Sequence, residues 1–221
     1  MAVDGRLERA KSRYERSVFS GEHSGLDQAD RELDALEADL AMSRGRIRHA
    51  RFLAERDADP VEDPAELPEL ERALALYRAL GQTRGEADAL LWIGLVHQVI
   101  RRDDATAVPY LEQSRDLAEQ ADEVETLAEA LRHLGIAHHF AGRLQQARDD
   151  LTRSSELRRK AGRPAGVASN MIGLGYIAAA EGRRDDALQI LAEADALARA
   201  ADAHAIAARI EEARAHIRQA D

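Results

Sequence analysis

At 221 residues the chain is long enough for a sizeable core, whether built as one domain or as a repeat array. It has no cysteine, which excludes disulfides and thiolate metal sites, and its 31 basic against 41 acidic residues give a formal net charge of −10 that disfavours nucleic acid as a partner. Apolar residues make up 45% and aromatics only 4%, with alanine and leucine dominant, a mixture that suits closely approaching helices.

In chain order, residues 5–20 form an amphipathic helix carrying Leu7, Tyr14 and Val18. Ahead of it, Met1 to Arg6 lacks the apolar run of a signal peptide, and no stretch reaches the roughly 20 apolar residues that span a bilayer. A second helix begins near Ser24-Gly25-Leu26 and runs on, long or kinked at Gly45, to about Arg56. Asp59-Pro60-Val61-Glu62-Asp63-Pro64 is a break, and Glu66 to Leu80 is the next helix. Regular punctuation follows: helices over about 83–100 and 105–121, a pair over 125–140 and 144–160, a pair over 164–180 and 185–200, and a last helix over 203–219. Pro109 is placed in the first turns of its helix, and Gly142 and Gly182 are placed at the joints of the two pairs. Asp103-Asp104, Asp149-Asp150 and Asp185-Asp186 open the second helices as caps and dipole partners. Arg101-Arg102, Arg158-Arg159-Lys160 and Arg183-Arg184 sit among acids and read as solvated helix ends.

Three stretches repeat. Leu90-Leu91-Trp92-Ile93-Gly94, Leu131-Arg132-His133-Leu134-Gly135 and Met171-Ile172-Gly173-Leu174-Gly175 place their last glycines 41 (135 − 94) and then 40 (175 − 135) residues apart. The partner helices align at intervals of 40 through Ala107, Ala147 and Ala187, through Leu111, Leu151 and Leu191, and through Leu117, Leu157 and Leu197. A small residue lets paired helices close up, and the leucines fill the layer between units. Such a period marks a solenoid, whose units bury their apolar faces only by stacking.

These residues, apolar-x-x-Leu-Gly-x-x-(His/Ala) followed by Ala-x-x-x-Leu-x-x-(Ser/Ala), resemble the tetratricopeptide repeat (TPR) in a long form of about 40 residues. The sequence departs from the family pattern at His97, His138 and Ala178, where an aromatic is usual, and in lacking the proline that ends the second helix. The resemblance implies an all-α, right-handed α-solenoid of antiparallel helix pairs in a single domain over 1–221. It comprises irregular N-terminal helices over 1–60, the second helix of a degenerate repeat over 61–81, repeats over 82–122, 123–162 and 163–202, and a capping helix over 203–221. That last helix turns Ile206, Ile210, Ala213 and Ile217 inward and Arg209, Glu212 and Arg218 outward.

In TPR arrays the first helices line a concave groove, and the resemblance carries this lining residue by residue onto Leu91, Trp92, Leu95 and Gln98, then Arg132, His133, Ile136, His139 and Phe140, then Ile172 and Tyr176. Ser169 and Ala179 are their small neighbours, and Met42, Arg46 and His49 are candidate additions from the degenerate unit. An apolar floor with tryptophan, tyrosine and arginine suits an amphipathic peptide that bears an acidic group. The chaperone-type carboxylate clamp is excluded, because Leu91, Leu95, Arg132 and Ile136 stand where its lysines and asparagines would be. His133, His138 and His139 are spaced five and one apart, so no two share a helical face as metal ligands do. No phosphate loop, nucleophile elbow or His-Glu metal motif occurs, which leaves no catalytic residue, metal or cofactor to assign.

The sequence thus points to a non-enzymatic, cytoplasmic adaptor for a protein or peptide partner, with no role at nucleic acid or membranes. The N-terminal helices are able to pack on a second copy. The alternative readings are a small-molecule sensor or enzyme using the same concavity, and a regulator acting through a partner. Arginine outnumbers lysine, which occurs only at Lys11 and Lys160, and with the abundant alanine this hints at a bacterial source.

Overall fold

Ten helices and no strand form among the residues described by the computed structural model, 4–55, 58 and 60–219. Arg56, where the long second helix was expected to end, and Asp59 of the expected break lie outside the described residues, as do 1–3, 57, 220 and 221. The helices fall into two compact units, Met1–Asp103 and Asp104–Asp221. No described helix is long and apolar enough to cross a membrane.

The first unit holds α1 (Gly5–Ser20), α2 (Leu26–Ala54), α3 (Glu66–Leu80) and α4 (Thr83–Leu95). Asp4 caps α1, its carboxylate accepting from the Arg6 backbone N–H at 2.8 Å. α2 runs unbroken for 29 residues through Gly45, because that glycine lets α3 approach: a Cβ there would stand 2.5 Å from Leu70. Beyond Leu95 the helix widens into a π turn, Val96–Ile100, in which Arg101 donates to the Val96 carbonyl five residues back at 3.1 Å. This turn absorbs the one extra residue that makes the first glycine interval 41 rather than 40.

The second unit holds α5 (Asp104–Gln120), α6 (Val124–Phe140), α7 (Leu144–Lys160), α8 (Pro164–Ala180), α9 (Arg184–Ala200) and α10 (His204–Gln219), each packed on the next in sequence. The repeat expected over 82–122 therefore contributes α4 to one unit and α5 to the other. Between these helices stand Asp122, Gly142, Gly162, Gly182 and Asp202, at intervals of 20 and with φ of 55°, 73°, 67°, 77° and 52°. At Gly142 the glycine donates to the His139 carbonyl and Arg143 to the His138 carbonyl, both at 2.9 Å; the same two bonds close every joint in the unit. This is the Schellman termination, and it requires a left-handed residue.

Within each pair the close approach is local and specific. A Cβ on Gly135 would lie 2.9 Å from Leu151 and 3.2 Å from the Ala147 carbonyl, and one on Gly175 would lie 3.1 Å from Leu191. The aligned alanines and the leucines at 111, 151 and 191 are buried in this layer, whereas Leu117, Leu157 and Leu197 are half-buried at its edge. α10 packs on α9 and α8 through Ile210, Ala213 and Ile217.

Two local expectations differ from the structure. Pro109 is the sixth residue of α5, past the first turn, so it costs the bond to the Ala105 carbonyl. α7 and α9 begin after Arg143 and Arg183 with no side-chain cap; Asp185 and Asp186 do lie in the first turn of α9, but Asp150 lies deeper in α7 and accepts from His138 at 2.8 Å.

Replacing Gly135 by Ala should destabilise the protein by about 1–3 kcal/mol in denaturant titration, since a backbone carbonyl cannot move aside as a side chain can. Conversely, Asp122→Gly should stabilise it by about 1 kcal/mol, raising Tm by roughly 2–4 °C in calorimetry, because glycine takes up positive φ without a Cβ penalty.

Candidate functional site

The internal repeat supplies its own control for what packing requires. At positions 118, 158 and 198 the second helices carry Ala, Arg and Ala, and all three are buried. Arg158 thus occupies a slot that packing fills with alanine. On the facing helix, Glu129, Arg132 and His133 stand where the next repeat has Ser169, Ile172 and Gly173. These four residues form one cluster. Arg158 donates to Glu129 and, at 3.0 Å, to the Gly166 carbonyl, while His133 Nε2 lies 2.9 Å from Arg132 Nη1 and 3.2 Å from Glu129 Oε1. Asn170 donates to Ser154 and Ser155 at 2.8 and 3.1 Å, extending the polar layer into α8.

Charge is unbalanced here. Burial alone would raise the Glu129 carboxyl, but His133, Arg132 and Arg158 outweigh it and hold it well below the usual range. Burial lowers Arg132 to about 10, aided by repulsion from Arg209 and Arg158. Burial likewise lowers His133 to about 4, so its ring is neutral at physiological pH and Nε2 serves only one of its two neighbours at a time.

Beside this cluster, α6, α8 and α10 wall a cavity of about 450 Å³ lined by Arg132, Ile136, His139, Phe140, Ile172 and Tyr176 together with Ser169, Arg209 and His216. Six sequence-predicted groove residues therefore meet at one place. A second cavity of about 470 Å³ shares His139, Tyr176 and His216 and continues to Arg184. Buried Arg132 Nε and His139 Nδ1 have no hydrogen-bond partner, and burial depresses His139 and raises Tyr176, the latter with help from Glu212. No carboxylate lines either cavity. Phe140 is 76% exposed at the rim, whereas His133 is buried in the cluster.

Apart from Ala179, which lines the second cavity, the other candidates lie in the first unit. Leu91, Leu95 and Met42 are buried, and Gln98 is half-buried in the π turn. Trp92 donates to Asp88 at 3.1 Å, with the Arg46 guanidinium 5.3 Å from its ring and the His49 ring edge-on at 5.4 Å. His49 is in turn held by fully buried Glu66 at 2.9 Å. Among the described residues no three of His, Asp or Glu gather to hold a metal ion.

Arg209 and His216 were not in the groove set. Sequence periodicity places Arg209 on the outer face of a closing helix, whereas α10 packs on α8 as well as on α9 and Arg209 lines the cavity. Arg158 and Glu129 were legible in principle, as departures from the 40-residue alignment.

A pH dependence follows from His133. Its folded value, about 4, lies below the ordinary 6.5, so between these values the unfolded chain binds a proton the folded chain refuses, and stability falls as pH falls. His133→Gln should flatten the stability–pH slope between pH 6.5 and 5 by up to about 1.4 kcal/mol per pH unit, measured by denaturant titration at several pH values.

Comparison with known proteins places this architecture. A tetratricopeptide repeat family model matches residues 85–160. No curated protein matches significantly. Among solved structures, the nearly identical TPR-like repeats of a Podosopora anserina protein assigned as a kinesin light chain superpose with a TM-score of 0.53 at 16% identity, covering 81% of this chain and 99% of that one. A point variant of those same repeats gives 0.53 at 17% identity, covering 80% and 94%. At this identity the likeness concerns the fold. Residues 85–160 therefore belong to the tetratricopeptide repeat family.

Proposed function

We propose that the second unit is the binding module of a cytoplasmic, non-enzymatic adaptor, and that its two adjoining cavities hold a peptide segment of a protein partner. The observation that carries this reading is that the two cavities lie side by side, sharing His139, Tyr176 and His216 in their walls, an arrangement that suits an extended chain more than a single compact ligand. Arg132, Arg209 and Arg184 contribute cations to a lining without carboxylates, in a chain whose net charge is −10. An Asp or Glu side chain of the peptide would pair with the Arg132 and Arg209 guanidinium groups in the cavity lining, and an apolar neighbour would lie on Ile136 and Ile172.

A small acidic metabolite is the second reading, favoured by the same arginines in the lining and by a volume within the roughly 300–1,000 Å³ of small-molecule sites. Selection of binders from a random peptide library separates the two. Enriched peptides should pair an acid with an apolar residue, and Arg209→Glu should weaken the best by about tenfold or more with the helical circular dichroism intact. No enrichment, combined with thermal stabilisation by a carboxylic-acid metabolite, would transfer the site to the second reading.

A further inference from the structure

α1 is packed the wrong way round for a helix that stands alone. None of its residues is buried, and the face it turns to α2 is polar or small: Arg6, Ala10, Arg13 and Ser17. Arg6 donates to Asp39 at 2.7 Å, Arg9 to Glu32 at 2.7 Å and Arg13 to Glu32 at 3.4 Å, which fixes the two helices as antiparallel. Its apolar residues are left in solvent, Leu7 at 45%, Tyr14 at 62% and Val18 at 56% exposure. α2 behaves alike. Leu26, Leu33, Leu40 and Ile47 recur at strict intervals of seven, and Leu26, Leu40 and Ile47 are exposed.

The two stripes share one side of the hairpin. Leu7 and Tyr14 each follow by one position a residue that reaches α2, namely Arg6 and Arg13, and Val18 continues their stripe one turn beyond Tyr14. Leu26, Leu33 and Leu40 each follow one aimed at α1, namely Gly25, Glu32 and Asp39. One position is about 100° of helix, and antiparallel helices wind in opposite senses when viewed from one end, so both offsets open the same way.

Charge names what covers this side. Along α2 up to Leu40 there are six carboxylates and one arginine; beyond it there are four arginines and no carboxylate. Next to the apolar stripe this becomes a second series of sevens, Asp30, Glu37, Arg44 and Arg51, whose sign reverses at the middle. Glu37 meanwhile accepts from Arg72 and Arg44 lies 3.8 Å from Glu69, both exchangeable surface pairs. A second α2 laid antiparallel sets Asp30 opposite Arg51 and Glu37 opposite Arg44, and repeats both pairs by symmetry. A parallel partner sets like beside like.

We infer that the α1–α2 hairpin is a homodimerisation surface, on which a second copy of this chain packs with α2 antiparallel to α2 about a two-fold axis near Leu40. Two hairpins then form a four-helix arrangement with Leu7, Tyr14, Val18, Leu33, Leu40 and Ile47 inside.

Sedimentation of the full chain over a concentration series tests this. The wild type should be a dimer and Leu40→Asp/Ile47→Asp a monomer with unchanged helicity. Asp30→Arg/Glu37→Arg and Arg44→Glu/Arg51→Glu should each be monomeric alone and form a one-to-one dimer when mixed. Orientation is read from single cysteines in this cysteine-free chain. Leu40→Cys should oxidise to a crosslinked dimer, and Leu26→Cys should not, its twin lying about 40 Å away along the paired helices. A wild type that stays monomeric throughout, charge variants indistinguishable from it, or crosslinking by Leu26→Cys would each overturn the inference.

Discussion

Every joint of the second unit is made by one residue in a left-handed backbone conformation, and these residues stand 20 apart from Asp122 to Asp202. That interval does more than end helices. It makes α6 to α9 equal in length at 17 residues, so equivalent positions recur at the same height on alternate helices. Ile136 thereby comes level with Tyr176, and Arg132 with Ile172, as the two faces of one cavity. The cavity wall is a consequence of the turn spacing and needs no long-range device of its own. Where the spacing slips by one, at the end of α4, the helix itself distorts into a π turn and the next left-handed residue, Arg102, falls 21 after Gly81.

On this regular frame the chemistry is concentrated in one repeat. The alanines at 107, 147 and 187 and the leucines at 111, 151 and 191 recur from pair to pair and are buried, as a stacking layer demands. Glu129, Arg132, His133 and Arg158 recur nowhere. All four are ionisable, and burial opposes the charged forms of Glu129, Arg132 and His133, a cost that the apolar positions of the layer do not carry. A repeat array tolerates this because neighbouring pairs carry the packing on either side.

Most of the fold was legible because two periods coincide in the sequence, the helical 3.6 and the unit of 40, and because glycines mark three of the five left-handed joints of the second unit. Helices α3, α7 and α8 begin and end where the pattern places them. The π turn was hidden: a single surplus residue could equally lengthen the loop, and only backbone hydrogen bonding decides. The missing caps of α7 and α9 were hidden for a related reason, since acidic pairs read alike whether they cap a helix or stand one turn inside it. Of the cavity wall, the part carried by α6 and α8 was legible through the repeat resemblance and its register, whereas Leu91 and Leu95 are packed inside, a matter of helix rotation that spacing does not specify.

The chain has a single tryptophan, and Trp92 sits in the first unit between a guanidinium, an imidazole edge and a carboxylate. The second unit has no tryptophan. Intrinsic fluorescence excited at the red edge is therefore blind to the unit that contains the cavities and reports solely on the unit that contains the α1–α2 hairpin. Circular dichroism, by contrast, sums both. The two signals followed through one melt give each unit its own unfolding curve, with no label attached to the protein.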